Sequence, residues 1–384
     1  MNRKKILIVV QGFSIGGIIV SLKSLLSMID TSKYQIDIFA LNRAGEYLCR
    51  LPNCTILPEN LWLSHVTHTL GKFKNVINKG LRVLRAICRR IGYNIEPFMC
   101  KLADKQLKFD NYDTVVNYAE SIAHITCHYP VKRKVAWIHC DFKRYLSIVN
   151  RDESNIYRIF DKVVCVSDFA KGVFVECIPA MADKVVAIHN IIDVIGIRNE
   201  AKKPIDDTRY ITDFFTIVSA GRLDPVKQFH LIPEIAAEIK QITDKPFVWY
   251  IIGGDNGDGK YLLNIQKKID SLGVSQQVVL LGEKKNIYPY MANADLYVST
   301  SVSESYPLVI NEAKALGIPV VTNNFGSAKE SVENGVDGWI TSIEDEQMSS
   351  LIGKLIDFKL SLSKFGNSLD EKNKCILMSI YQVL

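Results

Sequence analysis

The sequence predicts an α/β protein of two domains, each a parallel sheet covered by helices. Three observations lead there. Short runs of Val, Ile and Leu alternate with segments of helical spacing, the pattern of strands buried on both faces. The alternation breaks once, at the charged, proline-bearing segment 194–213, which reads as an interdomain linker, and then resumes. With 384 residues, 48% of them hydrophobic, the chain is too long for one ordinary domain and can bury two cores. The expected domains are 1–198 and 199–384, with a tail, 367–384, that packs back on the first.

The opening KKILIVVQGFSIGG reads as a buried strand ending in a glycine-rich turn, followed by SLKSLLSMI with helical spacing. Basic residues ahead of an apolar run imitate a secretory leader. Gln11, Gly12 and the pair Gly16 and Gly17 break that run early, so a first strand is the expectation. The three glycines lack the spacing of the dinucleotide fingerprint, which speaks against a dehydrogenase. The turn is either a simple strand-to-helix connection or a ligand-facing loop, since doubly wound sheets bind ligands at the carboxyl ends of their strands. YQIDIFAL, TVVNYA, KVAWIHC, KVVCVS and KVVAIHN supply the further strands of this half.

Between Leu70 and Phe109, ten Lys and Arg stand against only Glu96 and Asp104. Val76, Ile77, Leu81, Leu84, Ile87, Cys88 and Ile91 recur there near helical spacing, which makes a basic amphipathic stretch. It is either an ordinary solvated helix or, through residues 72–90, a peripheral contact with an anionic membrane. In the second half, FFTIVSAG, FVWYIIGG, VVLLG, ADLYVST and IPVVTNN are the strands, and KNKCILMSIYQVL is a last helix.

Composition narrows the function classes. The longest apolar runs, such as Ile6 to Val10, are far below the ~18 residues of a membrane span. Nine scattered cysteines, an odd total with no C-x-x-C pair, argue against a disulfide framework or a zinc site and for a reducing compartment. A net charge of +6 without a long Lys/Arg block does not suggest nucleic-acid binding.

The chemistry concentrates in SESYPLVINEAKALGIPVV, where Glu304 and Glu312 stand eight positions apart. Ser303 and Ser305 are N-cap types, Pro307 suits a first turn, and Gly317 with Pro319 marks a stop, so a helix is expected from about Tyr306 to Leu316. At ~1.5 Å per residue the two carboxylates are on the order of 10 Å apart. Between them the helix N-terminus offers N–H groups and a positive dipole end to a phosphate. That frame suits a ligand with hydroxyl-rich ends and a charged middle, as in a nucleotide-sugar. The turn GRLDPVKQFH brings Gly221, Arg222 and Lys227 to the carboxyl end of another strand; Arg222 can fork onto two phosphate oxygens and Lys227 adds a point charge. A glycosidase would instead need its carboxylates ~5–9.5 Å apart with one pKa raised, and nothing in the sequence raises either.

These segments, AGRLDPVKQ, IIGGDNGDG, LLGEKKNIYPYMANADLYVSTSVSESYPLVINEAKALGIPVV and ENGVDGWI, resemble the retaining glycosyltransferases of the family 4 type. The resemblance covers nearly all of the second half. It is thinner in the first, where the Gly16–Gly17 turn, WIHCD, CVSDFAK and HNIID look like the family's landmarks. It implies the GT-B fold, two facing Rossmann-like domains with the active site in the cleft, the first binding the acceptor and the second the nucleotide-sugar. Arg222 and Lys227 would bind the donor diphosphate, Glu304 would contact the sugar ring, and Glu312 would accept the ribose hydroxyls. Gly16, Gly17 and Gly221 would also be donor-binding positions. Ser305, Tyr306, Pro307, Leu308 and Val309 would surround the phosphates, partly through backbone N–H groups. His139, in WIHCD, would lie near the sugar and the attacking hydroxyl and act by positioning, while the departing phosphate helps take the acceptor's proton. No Asp-x-Asp motif appears, so no metal and no other cofactor is expected, the cations and helix dipole supplying the charge. Ser305-Tyr306 departs from the Gly-Phe of many relatives, which bears on the donor sugar. A UDP-linked donor is the default and a GDP-linked one stays open. The acceptor would be a hydroxyl of a glycan or of a lipid-linked saccharide in bacterial capsule or lipopolysaccharide synthesis, and the expected location is the cytoplasm, either free or at the inner face of the plasma membrane. A non-catalytic nucleotide-sugar-binding subunit of the same fold is the alternative.

Overall fold

The computed structural model describes residues 3–14, 16–64, 80–81, 83–88, 90–149, 153–255, 257, 259–358 and 368–384. Two compact units result. The first takes the described residues up to Ile191 together with Lys374–Leu384, and the second is continuous over Ile192–Asn373.

In the first unit β1 (Lys4–Val10), β2 (Tyr34–Ala40), β3 (Thr55–Ile56), β4 (Thr114–Asn117), β5 (Arg133–Ile138), β6 (Lys162–Cys165) and β7 (Val185–Ala187) pair in parallel, in the order β3-β2-β1-β4-β5-β6-β7. Register runs from Ile6 opposite Ile36 on one side to Ile6 opposite Thr114 on the other. Ile6 to Val10 are all buried, as a strand covered on both faces requires. Leu7, Val9, Phe39, Phe109 and Tyr129 centre one core, and Ile138, Phe142, Tyr157, Phe160 and Phe174 another. The last helix, Ser368–Val383, ends in this unit, where Thr114 donates to the Leu384 carbonyl at 2.8 Å and Arg133 to that of Val383 at 3.0 Å.

In the second unit β8 (Phe215–Ala220), β9 (Phe247–Ile252), β10 (Val278–Gly282), β11 (Leu296–Ser299), β12 (Val320–Asn323) and β13 (Gly338–Thr341) are likewise parallel, in the order β10-β9-β8-β11-β12-β13. Trp249, Ile251, Val298 and Val321 pack under Ile235, Ile239 and Ile352. The strand order reverses between β8 and β11. Ligand loops gather at such a switch point, beyond the carboxyl ends of the strands.

The segment 194–213, which reads as a linker, opens with a helix, Val194–Glu200. Asp193 caps it by accepting the Gly196 N–H at 2.9 Å, and Val194 and Ile197 pack with Ala315 and Leu369. The rest of the segment is strapped down: Asp207 pairs with Arg209 at 2.6 Å and Lys284 at 2.8 Å, and Arg209 also donates to the carbonyls of Leu280 and Leu281.

Candidate donor site at the β8–β11 switch point

Two glycines let the loops close on one another. Gly221, just past β8, has φ +154, a backbone favouring glycine, and a Cβ on Gly253, just past β9, would lie 1.8 Å from the Gly221 carbonyl oxygen. The turn then folds so that Asp224 accepts the Val226 N–H at 2.8 Å, and Lys227 is presented beside β11.

There Lys227 donates to Glu304 Oε1 at 2.5 Å, Ser301 donates to the same oxygen at 2.8 Å, and Thr300 donates to the Lys227 carbonyl at 2.6 Å. The Val302 N–H on the Val226 carbonyl, at 3.0 Å, ties the two loops together. The far side of the Glu304 loop is held by Ser327, which donates to the Glu304 carbonyl at 2.7 Å. The structure thus makes one ion pair of a cation and a carboxylate that the sequence assigns to separate parts of a ligand.

The helix behind Glu304 runs over Leu308–Ala315. Neither Ser303 nor Ser305 caps it: the cap position is Pro307, with φ −75 and no side-chain cap bond, because the helix starts later than the serines suggest. Its first-turn N–H groups, from Leu308 and Val309 onward, have no intrahelical acceptor. Ser305, Tyr306 and Pro307 are buried under the loop, and the Lys372 ammonium stands 5.9 Å from the Tyr306 ring centroid. Burial pushes the Tyr306 hydroxyl pKa up. At the other end Arg198 donates to the Ala315 carbonyl at 2.9 Å, a cation at the helix's negative pole.

Glu312 is buried, and Tyr288 donates to its Oε1 at 3.2 Å. Arg222 is exposed and, with Leu223 and Asp224, lines an open cavity of about 550 Å³ that continues to Asp255, Lys260 and Tyr261. Lys227, Glu304 and Glu312 are not among its walls.

Gly16, Gly17 and His139 belong to the first unit. Gly16 is the N-cap of the helix Gly17–Met28 at the end of β1. His139 follows β5, its ring 4.8 Å from that of Tyr118, and its backbone N–H donates to Glu120 Oε2 at 3.2 Å. Burial holds the imidazole pKa down, to about 3, so the ring is neutral, and Nε2 is enclosed without a hydrogen bond. Burial raises the pKa of Glu120, while the His139 N–H acts in the opposite sense. Glu120 and Tyr288 carry little local signal in the sequence: each is a polar residue just beyond a buried strand or at the start of a short helix. Among the described residues no group of three or more His, Cys, Asp or Glu side chains is placed to hold a metal ion.

Residues 202–372 match the model of the family described as glycosyl transferases group 1. The matched segment lies within the second unit. It includes Gly221, Arg222, Lys227 and the whole of the Glu304–Glu312 segment. Among curated proteins the chain is similar to an uncharacterized glycosyltransferase of Methanocaldococcus jannaschii, 24% identical over 184 residues, 47% of this chain and 44% of the relative. It is also similar to the lipopolysaccharide core biosynthesis glycosyltransferase LpsE of Rhizobium meliloti, 29% identical over 131 residues, 34% of this chain and 36% of the relative. The matched stretches therefore span less than half the length of these relatives. Among solved structures, Anabaena HepE in complex with UDP and glucose superposes with a TM-score of 0.72 at 19% identity, covering 99% of this chain and all of that one. That likeness covers both sheets, and the fold is GT-B.

Proposed function

We propose that the protein is a retaining hexosyltransferase that moves a sugar from a nucleotide-sugar to a hydroxyl of a glycan or lipid-linked acceptor. The observation that carries this is the Lys227–Glu304 pair at the switch point, beside the N-terminus of Leu308–Ala315, which has no side-chain cap, and within the segment that matches group 1 glycosyl transferases. Breaking a sugar–phosphate bond builds negative charge on the departing diphosphate. Cations already in place stabilise that charge more than they stabilise the bound donor.

In this reading Arg222 and Lys227 hold the diphosphate, assisted by the N–H groups of Leu308 and Val309. Glu304 meets the sugar ring and steers Lys227, and Glu312, braced by Tyr288, accepts ribose hydroxyls. Gly16, Gly17 and His139 serve the reaction from the first unit, His139 as a neutral positioning group. The reaction is metal-independent in this scheme, because the two cations and the helix dipole supply the charge. The donor is UDP-linked: the similar Anabaena structure holds UDP, and a GDP-linked donor is the variant to compare. Similarity to a lipopolysaccharide core enzyme supports a glycan acceptor built at the inner face of a bacterial membrane, with the stretch 72–90 as the peripheral contact. Most of that stretch lies outside the described residues.

The test is a panel of nucleotide-sugars scored by thermal stabilisation, followed by nucleoside diphosphate release with acceptor present. Selective stabilisation by one donor and acceptor-dependent release are expected. Tight donor binding without turnover would favour a binding subunit, and no stabilisation by any donor would defeat both.

A further inference from the structure

One surface of the first unit is built the opposite way to an ordinary soluble face. The described residues between 80 and 90 are helical. Their inward side is Leu81, Arg85 and Cys88: Cys88 is buried, and Arg85 donates through Nε to Met99 Sδ at 3.2 Å and through Nη2 to the Trp62 carbonyl at 2.6 Å. At about 100° per residue the opposite side carries Val83 and Ile87, at i and i+4, flanked by Leu84 and, in the turn that follows the helix, by Ile91; all four are exposed. A surface helix normally turns such a stripe to the core. Here the cation goes inward and the hydrocarbon outward.

The chain turns, with the Tyr93 N–H on the Cys88 carbonyl at 2.8 Å, into the helix Glu96–Leu107, whose buried side is Met99, Cys100, Ala103 and Leu107. Its outer side continues the pattern, with exposed Phe98 followed at i+3 and i+7 by exposed Lys101 and Lys105. Val83, Leu84, Ile87, Ile91, Tyr93 and Phe98 are between 43% and 73% exposed. Singly such residues need no partner; a continuous stripe does.

Charge says which partner. Arg90, Lys101, Lys105 and Lys108 are exposed around the stripe, in a stretch where ten cations face two carboxylates. A second copy of this face would bring like charges together, whereas an anionic surface complements them. Among the described residues no helix is long and apolar enough to cross a membrane; a helix with a basic and an apolar side of this kind lies in the plane of the surface. We infer that Val83, Leu84, Ile87, Ile91, Tyr93 and Phe98 form a docking face that settles into the headgroup layer of an anionic bilayer, with Arg90, Lys101 and Lys105 on lipid phosphates. This deepens the membrane contact proposed above: it rests on that reading for its purpose and names the side chains that enter the lipid.

The full chain is sedimented with vesicles of phosphatidylglycerol mixed into phosphatidylcholine, and with phosphatidylcholine alone. Salt-sensitive binding to the anionic vesicles is expected, with a loss of about tenfold or more in V83S/I87S/I91S and in R90E/K101E/K105E. Thermal midpoints of both variants close to that of the unaltered chain separate a lost face from a lost fold. An unaltered chain that ignores anionic vesicles at low salt overturns the inference, as does a serine variant that binds undiminished. Dimerisation of the unaltered chain, absent in the serine variant, assigns the face to a second copy and overturns it too. No readout uses sugar transfer, so lipid binding without nucleotide-sugar binding sinks only the transferase reading, and the reverse result sinks only the docking face.

Discussion

Lys227 and Glu304, 77 residues apart in the chain, share a hydrogen bond of 2.5 Å with both side chains largely out of water, 24% and 17% exposed. Removing Lys227 leaves the partly buried Glu304 carboxylate with the Ser301 hydroxyl but without this cation, and removing Glu304 takes away the Lys227 counter-ion. Lys227→Ala and Glu304→Ala should each lower kcat about 100-fold, roughly 3 kcal/mol in barrier, as loss of one oxyanion donor does. The double variant should fall little further than the worse single one, because residues acting as a unit are not additive. Steady-state kinetics of the cycle measure this.

On the proposed scheme Arg222→Ala should lower turnover more than ground-state donor affinity, since its charge would matter most as the diphosphate departs. Turnover at the unaltered rate in R222A/K227A would sink the diphosphate assignment.

Glu312→Ala should weaken binding of the donor more than it slows the bound complex. Tyr288→Phe removes one hydrogen bond from that carboxylate and should weaken binding about fivefold, near 1 kcal/mol. Calorimetric titration with the nucleoside diphosphate resolves the two.

The pH behaviour of His139 has a definite sign. Its folded pKa is lowered, by burial, from 6.5 to about 3. The stability tied to keeping the ring neutral is complete above the unfolded value near 6.5 and is lost as pH falls toward the folded value. His139→Phe should therefore flatten the fall in urea midpoint between pH 6.5 and pH 4. The kcat/KM profile between pH 5 and 8 should show no inflection from this ring, and one that vanished in the variant would contradict a neutral His139.

Asp207 is the stability counterpart in the second unit. Hydrogen bonds from Arg209 and then Lys284 hold its carboxyl well below the usual carboxylate range. Its contribution is complete above the unfolded value of 3.8 and lost as pH falls below it. Asp207→Ala leaves Lys284 half-buried and unpaired by its former partner, and should cost about 1–3 kcal/mol in a urea melt at neutral pH.

Much of this architecture is legible in the chain. β1, β8 and β9 announce themselves because strands buried on both faces are continuous runs of Val, Ile, Leu and aromatics. β3 has two residues and β13 is largely half-buried, so neither produces such a run. The helix Val194–Glu200 hides in a charged segment, since its two buried side chains and its Asp193 cap are a weak local signal. At the candidate site, the eight-residue spacing of Glu304 and Glu312 is plain in the chain. What each carboxylate touches is set by the sheet order, which places residues from the β8 turn and the Tyr288 helix against it, and no local spacing records that. The contact of Glu120 with the His139 N–H is set the same way, by the pairing of β4 with β5, whose following segments carry the two residues.

The first unit needs Lys374–Leu384, whereas the second is one uninterrupted stretch, Ile192–Asn373. During synthesis at about 5–20 residues per second, the earlier half of the chain therefore waits on the order of 10–40 s for its closing helix. The later half can complete itself in the meantime. Order of emergence from the ribosome and order of completion are reversed, and the half left open carries the apolar helix face.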